Sequence, residues 1–161
     1  PHRAWPDIIM RFYRIASEAH ISDLTGTGAR LYGGRWNHKG TCVIYTSESR
    51  ALATTEYLVH VPIAMVPANL HIATIEIPAE ASVTSIDIKT LPSDWRHYPA
   101  PASLATIGSQ WAQRKRSLLL RVPSVVVRGD FNVLINPAHP EFSHIDIMAV
   151  EPYELDKRFF T

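Results

Sequence analysis

Cysteine is almost absent from this chain. Its 161 residues hold one, Cys42, so no internal disulfide can form and nothing points to a secreted disulfide scaffold. Excess charge of one sign is also missing. Sixteen Lys and Arg stand against fifteen Asp and Glu, a net charge of +1. That balance argues against a protein held to nucleic acid mainly through phosphate contacts. No long apolar run occurs. The most apolar stretch, Leu58 to Leu70, is broken by Pro62 and Pro67 and falls short of the ~20 residues that a membrane-spanning helix needs. The segment Pro1 to Met10 carries Asp7 and two prolines and lacks the apolar core of a signal peptide. The expectation is a soluble cytoplasmic protein with no membrane contact.

Common catalytic signatures are missing as well. Gly26-Thr27-Gly28 begins like a dinucleotide fingerprint, but Leu31 stands where the third glycine belongs. No P-loop, zinc-protease helix or nucleophile elbow occurs. His139, His144 and Asp146 match no compact metal-binding spacing, so no metal is expected. Arg114-Lys115-Arg116 reads as a solvated helix end near the negative pole of the helix.

What the chain does contain is enough apolar material for a core: 46% hydrophobic residues against 19% charged. No repeat or composition shift divides it, and one domain over 1–161 is expected. Strands are expected at Met10–Ile15, Thr41–Thr46, Leu70–Ile77, Val83–Ile88 and Ile145–Val150, from their alternation and β-branched content. Leu118–Val127, interrupted by Pro123, reads as a bent strand or two short ones. A helix is expected from an N-cap at Ser47 to about His60, stopping before Pro62. Another follows the apolar spacing of Leu104, Ile107, Trp111 and Ala112 over Ala102–Arg116. Between Asp23 and Asn37 lie four of the seven glycines, which marks an irregular loop. The order is too rich in strands for regular βαβ alternation, so the class is α+β.

One residue stands out on physical grounds. Leu52, Glu56 and Val59 share a face of the first helix. If that face packs on the sheet, Glu56 is a carboxylate on an apolar side, which is costly unless it is paired or functional. Pairing with His60, four residues on, is the plain alternative. Nearby, Arg35 and Trp36 leave the glycine-rich loop and Tyr45 ends a strand. A guanidinium suits phosphate, a tyrosine ring suits stacking on a heteroaromatic base, and a carboxylate suits a ribose hydroxyl and positive charge at an anomeric carbon. Together these are the requirements of a nucleotide-sugar site, one for NAD+ in particular.

An ordered set of segments carries a family resemblance across about residues 11–160. It comprises Phe12-Tyr13-Arg14, Thr25-Gly26-Thr27-Gly28-Ala29 and Gly33-Gly34-Arg35-Trp36-Asn37, then Val43-Ile44-Tyr45-Thr46 and Glu56-Tyr57-Leu58-Val59-His60. Val122-Pro123-Ser124 and the run from Asn132 to Pro140 complete it. With these segments the chain resembles the RES-domain proteins, toxins of RES–Xre toxin–antitoxin systems. The family is named for an Arg, a Glu and a Ser, matched here by Arg35, Glu56 and Ser124. Ser109 is a departure, since family members often carry an acid there.

The resemblance implies a fold similar to ADP-ribosyltransferase toxins: a single α+β domain with a split, bent mixed β core, flanking helices and an NAD+ cleft. It implies NAD+ as substrate, degraded by hydrolysis or phosphorolysis, or used in some members for ADP-ribosyl transfer to a protein acceptor, with growth arrest as the outcome. It implies an Xre-like helix-turn-helix antitoxin that covers the cleft and carries the DNA contact. On this reading Glu56 stabilises positive charge on the nicotinamide ribose, and Arg35, with Arg14, holds the pyrophosphate. Tyr45 stacks on nicotinamide or clamps its ribose, and Ser124 positions Glu56 or the ribose. Trp36 and Asn132 belong to the cofactor-binding wall, with Trp36 and Trp111 divided between core and cleft. Asn136 and His139 divide between cleft wall and turn.

Overall fold

The computed structural model describes residues 8–160, so most of the N-terminal segment considered above lies outside the described residues. In chain order the elements are β1 (Ile9–Ser17), α1 (Thr27–Tyr32), β2 (Ile44–Ser47), α2 (Arg50–His60), β3 (Leu70–Pro78), β4 (Val83–Ser85), α3 (Ala102–Arg114), β5 (Leu119–Pro123), β6 (Phe131–Ile135) and β7 (Asp146–Pro152), with short 3-10 turns between them. The strands form one sheet in the order β4-β5-β6-β2-β1-β3-β7, all antiparallel except the β4–β5 pair.

The join at the centre of this sheet is its thinnest. β1 and β3 align over nine residue pairs, from Ile9↔Pro78 to Ser17↔Leu70. β1 and β2 share one pair, Tyr13↔Ser47. Beyond it the two strands part, and the gap between them opens into a cleft. The expected split β core therefore takes the form of one sheet nearly divided at β1–β2.

Each side of the sheet has its own core. One includes Phe12, Ile44, Ile75, Leu119, Val133 and Ile135. The other packs Leu104, Trp111 and Ala112 of α3 against Leu120, Val122 and Leu134, with Trp36 and Trp95 between. The period-2 and period-3.6 patterns predict both faces. α3 approaches the loop after α1 so closely that a Cβ on Gly108 would stand 1.7 Å from the Trp36 carbonyl oxygen. Ser109, where the family-like acid is missing, accepts the His38 N–H at 2.9 Å one residue farther along α3.

Several expectations need correction. The glycine-rich segment is not loop throughout; it holds the six-residue α1 between Gly26 and Gly33. The N-cap of α2 is Ser49, which accepts from Leu52 N, because Ser47 belongs to the β2–β6 ladder. The strand expected at Thr41–Thr46 begins at Ile44, and the one at Val83–Ile88 ends at Ser85. In Leu118–Val127 the strand ends at Pro123. β6 was not anticipated. α2 does end at His60, ahead of Pro62, and α3 starts at Ala102.

Candidate active site

The cleft at the β1–β2 gap has a volume of about 780 Å³, within the roughly 300–1,000 Å³ usual for small-molecule sites. Arg14, Arg35, Trp36, Tyr45, Glu56 and Asn132 all border it. Ser124 is reached through its bond to Glu56.

Glu56 is the centre of this arrangement. It projects from α2 toward β6, with its side chain 18% exposed. Its Oε1 accepts two short bonds, from Ser124 Oγ at 2.7 Å and Asn132 Nδ2 at 2.7 Å. The donors are themselves oriented. Val127 N donates to Ser124 Oγ at 3.0 Å, so the single Ser124 proton points at Glu56. Ser47 Oγ donates to Asn132 Oδ1 at 2.7 Å, which turns the amide nitrogen toward the carboxylate. Oε2 has a looser neighbour, His60 Nε2 at 3.7 Å, one helical turn on. Both readings of Glu56 thus coexist: it pairs with His60 and also sits in a directed donor network. Burial pushes its pKa up, but His60, Asn132 and Ser124 outweigh burial and hold the carboxyl below its ordinary range. At neutral pH it is an anion with one oxygen saturated and the other bordering the cleft.

Arg35 supplies a fixed cation. Its Nη1 donates to the carbonyls of Trp95 at 2.8 Å and His97 at 3.2 Å, and Nη2 donates to His97 at 3.2 Å. Three of the five N–H bonds of a guanidinium are therefore engaged. The two that no described residue accepts, on Nε and Nη2, are the parallel pair that matches a carboxylate or phosphate edge. Burial lowers its pKa and the Glu56 charge opposes that shift.

Tyr45 has its hydroxyl occupied. It donates to Asn37 Oδ1 at 2.7 Å and accepts Trp36 N at 3.1 Å, and burial raises its pKa. Its hydroxyl locks the Arg35 loop, while the ring borders the cleft. Gly34 is required beside it, since a Cβ there would meet the Tyr45 hydroxyl at 2.7 Å. Trp36 is 3% exposed and Trp111 4%, so both are core, with Trp36 also bordering the cleft. Arg14 Nη1 clamps the carbonyls of His20 and Ile21 at 2.9 and 2.7 Å. Asn136 is buried against Ala112 O and caps its own turn, and neither it nor His139 borders the cleft. Among the described residues no cluster of three or more His, Cys, Asp or Glu is arranged to hold a metal ion, and no helix is long and apolar enough to cross a membrane.

Two contributors escaped sequence reasoning. Ser47 looked like a helix cap, and only the β2–β6 register Ser47↔Asn132 reveals its role. Asn37 is 1% exposed, and its amide nitrogen donates to Ala29, His38 and Thr41 carbonyls. Its place beside Arg35-Trp36 was the available signal.

A family model described as "RES domain" matches residues 11–156. The chain belongs to the RES-domain family. A relative named "Prs ADP-ribosylating toxin", from Sphingobium sp., is 42% identical over 153 residues, covering 91% of this chain and 94% of the relative. A "Toxin Res" from Yersinia enterocolitica is 40% identical over 144 residues, covering 89% and 93%. Among solved structures, the M. tuberculosis MbcT-MbcA toxin-antitoxin complex contains a similar chain at TM-score 0.69 and 20% identity, covering 91% of this chain and 85% of that one. That likeness concerns the fold.

Proposed function

We propose that this RES-domain protein is the toxin of a toxin–antitoxin pair and that it opens the nicotinamide–ribose bond of NAD+. The observation that carries this reading is the ionised Glu56 carboxylate, oriented by Ser124 and Asn132 in the same cleft as the open fork of Arg35. The names of the relatives, toxins at 40–42% identity over most of their length, support the same class of activity.

The chemistry follows from the charges. The C1′–N1 bond breaks with its electron pair moving onto the pyridinium nitrogen, so nicotinamide leaves neutral and needs no general acid. Positive charge develops on the ribose, as in glycoside cleavage. Glu56 Oε2 accepts from a ribose hydroxyl and stabilises that cation electrostatically. Arg35 binds the pyrophosphate through Nε and Nη2, and the Tyr45 ring packs on the nicotinamide end. Ser124 is a positioning residue rather than a nucleophile, because its proton is held by Glu56 Oε1, its oxygen accepts Val127 N, and it does not border the cleft where C1′ would lie. An acceptor then bonds to C1′ and releases its proton.

Water or phosphate as acceptor makes the protein an NAD+ hydrolase or phosphorylase. The name of the Sphingobium relative favours a second reading, in which a protein, Prs being the first to test, receives ADP-ribose. Thr54, two residues before Glu56, is where arginine-directed transferases often place a second acid. Here its hydroxyl faces Tyr153 and the Arg50 carbonyl, so that position supplies no acid to the cleft. An Xre-like helix-turn-helix antitoxin covering the cleft would restrain the activity in the cytoplasm, and its release would arrest growth.

The test is incubation of pure protein with labelled NAD+, with and without cell extract. Free nicotinamide from pure protein supports hydrolysis or phosphorolysis. Label on a protein only when extract is present supports transfer. Binding without turnover in either condition leaves a non-catalytic nucleotide-binding module.

A further inference from the structure

A dinucleotide has two riboses, and the mechanism above uses a carboxylate for one of them. A second carboxylate borders the same cleft. Asp23 lies in the segment between β1 and α1, and its position is set independently of Glu56. Asp23 N donates to His20 O at 3.0 Å, and Arg14 fixes the same turn through the His20 and Ile21 carbonyls. Ile21, 2% exposed, anchors the turn in the core. The carboxylate is oriented too. Oδ1 accepts Thr25 N at 2.9 Å and Thr25 Oγ1 at 2.5 Å, while no described residue donates to Oδ2. The Thr25 bonds hold the group ionised.

The two acids stand at different stations along the cleft. Glu56 is held by Asn132, which is level with Ser47 and hence with Tyr13 of β1. The strand runs on through Arg14 to Ser17, and the Asp23 segment that follows is tied back to β1 at Arg14. Arg14, next to Tyr13 on β1, links the level of Glu56 to the Asp23 turn, so these contacts run carboxylate, arginine, carboxylate, and Arg35 borders the same cleft. A dinucleotide reads ribose, pyrophosphate, ribose.

We propose that Asp23 forms the subsite for the second ribose of the dinucleotide and makes the cleft select NAD+ over NADP+. This rests on the NAD+ reading given above. Oδ2 accepts from the vicinal hydroxyls of the adenosine ribose, which offer two O–H donors. A 2′-phosphate replaces one donor with an anion and sets like charges together. Arg14 is the cation beside Asp23, with the His20 ring next to it, and would act the other way. Arg14 turns Nη1 toward the backbone, whereas Asp23 is exposed at the cleft surface.

Calorimetric titration of NAD+ and NADP+ into Glu56→Gln protein, in which turnover is slowed about a hundredfold or more, tests the subsite directly. NADP+ is expected to bind at least about tenfold more weakly than NAD+, and Asp23→Asn in the same background to narrow that ratio at least about threefold. Asparagine keeps an oxygen for Thr25, and an unchanged Tm verifies that the loop is intact. Equal binding of the two nucleotides with Asp23 present, or a ratio that Asp23→Asn does not move, overturns the Asp23 subsite while leaving the NAD+ reading in place. Binding of neither nucleotide overturns the NAD+ reading and the subsite with it.

Discussion

Replacing Asn132 by alanine tests whether the donor network around Glu56 supports catalysis. The substitution removes one of the two 2.7 Å bonds to Oε1 and leaves Ser47 Oγ, in a side chain 5% exposed, without its acceptor. A hydrogen bond to a charged group is worth about 1.5–3 kcal/mol, and at about 1.4 kcal/mol per factor of ten its loss predicts a kcat/KM about ten- to hundredfold lower. The sign of the pH effect follows from the same bond. Asn132 helps hold the Glu56 pKa down against burial, so without it the carboxyl protonates at higher pH and the acid limb of the rate profile moves upward. The orphaned Ser47 adds a stability loss of about 1–3 kcal/mol, read as a Tm decrease at about 2–4 °C per kcal/mol for a chain of this size. The assay is nicotinamide release from pH 4.5 to 8, with Tm measured alongside. A second arm, Ser47→Ala, leaves Asn132 in place but lets its amide turn, and should shift the acid limb in the same direction. A parental kcat/KM and an unmoved acid limb in Asn132→Ala would refute the idea that this network orients Glu56.

Three more expectations follow. Arg35→Lys removes the parallel donor pair while keeping the charge, so KM for NAD+ should rise about tenfold or more in steady-state kinetics; an unchanged KM would place the phosphates elsewhere. Gly108→Ala puts a methyl where the Trp36 carbonyl already stands, so soluble yield and Tm should both fall sharply, and a parental Tm would contradict the close α3 contact. Stability should depend on pH through Glu56. Its folded pKa is depressed below the ordinary 4.5, so its contribution is complete above that value and fades as pH falls through the folded one. Glu56→Gln should therefore flatten the acid slope of Tm against pH as pH falls below the ordinary 4.5.

Elements governed by local pattern were legible in the sequence. The alternation in Met10–Ile15 and Leu70–Ile77 marks β1 and β3, and Pro62 marks the end of α2, because periodicity and proline sterics act over a few residues. The features that escaped depend on partners distant in the chain. β6 is short, and its pairing with β2 and β5 joins segments some 10 to 90 residues apart. Ser47 has the chemistry of a cap, and only the sheet register turns it toward Asn132. α1 is one and a half turns between two glycines at positive φ, too short to show a period. The candidate site was legible in part for the same reason. Glu56 drew notice for sharing a helix face with Leu52 and Val59, but only Leu52 is buried there and Val59 is 59% exposed, so the enclosure of Glu56 comes from Ser124 and Asn132 instead. The fork of Arg35 depends on carbonyls sixty residues away, at Trp95 and His97. Asp23 had no local signal, because its relation to Glu56 exists only where β1 and β2 part.

The most direct measurement is nicotinamide release from NAD+ by purified parent and Glu56→Gln proteins under identical conditions, in the presence of cell extract so that any acceptor is supplied. The account predicts release by the parent and a decrease of about a hundredfold or more in the variant, with the far-ultraviolet circular dichroism spectrum unchanged. Near-parental release by Glu56→Gln would contradict it, and would return Glu56 to the role of a helix-face acid paired with His60.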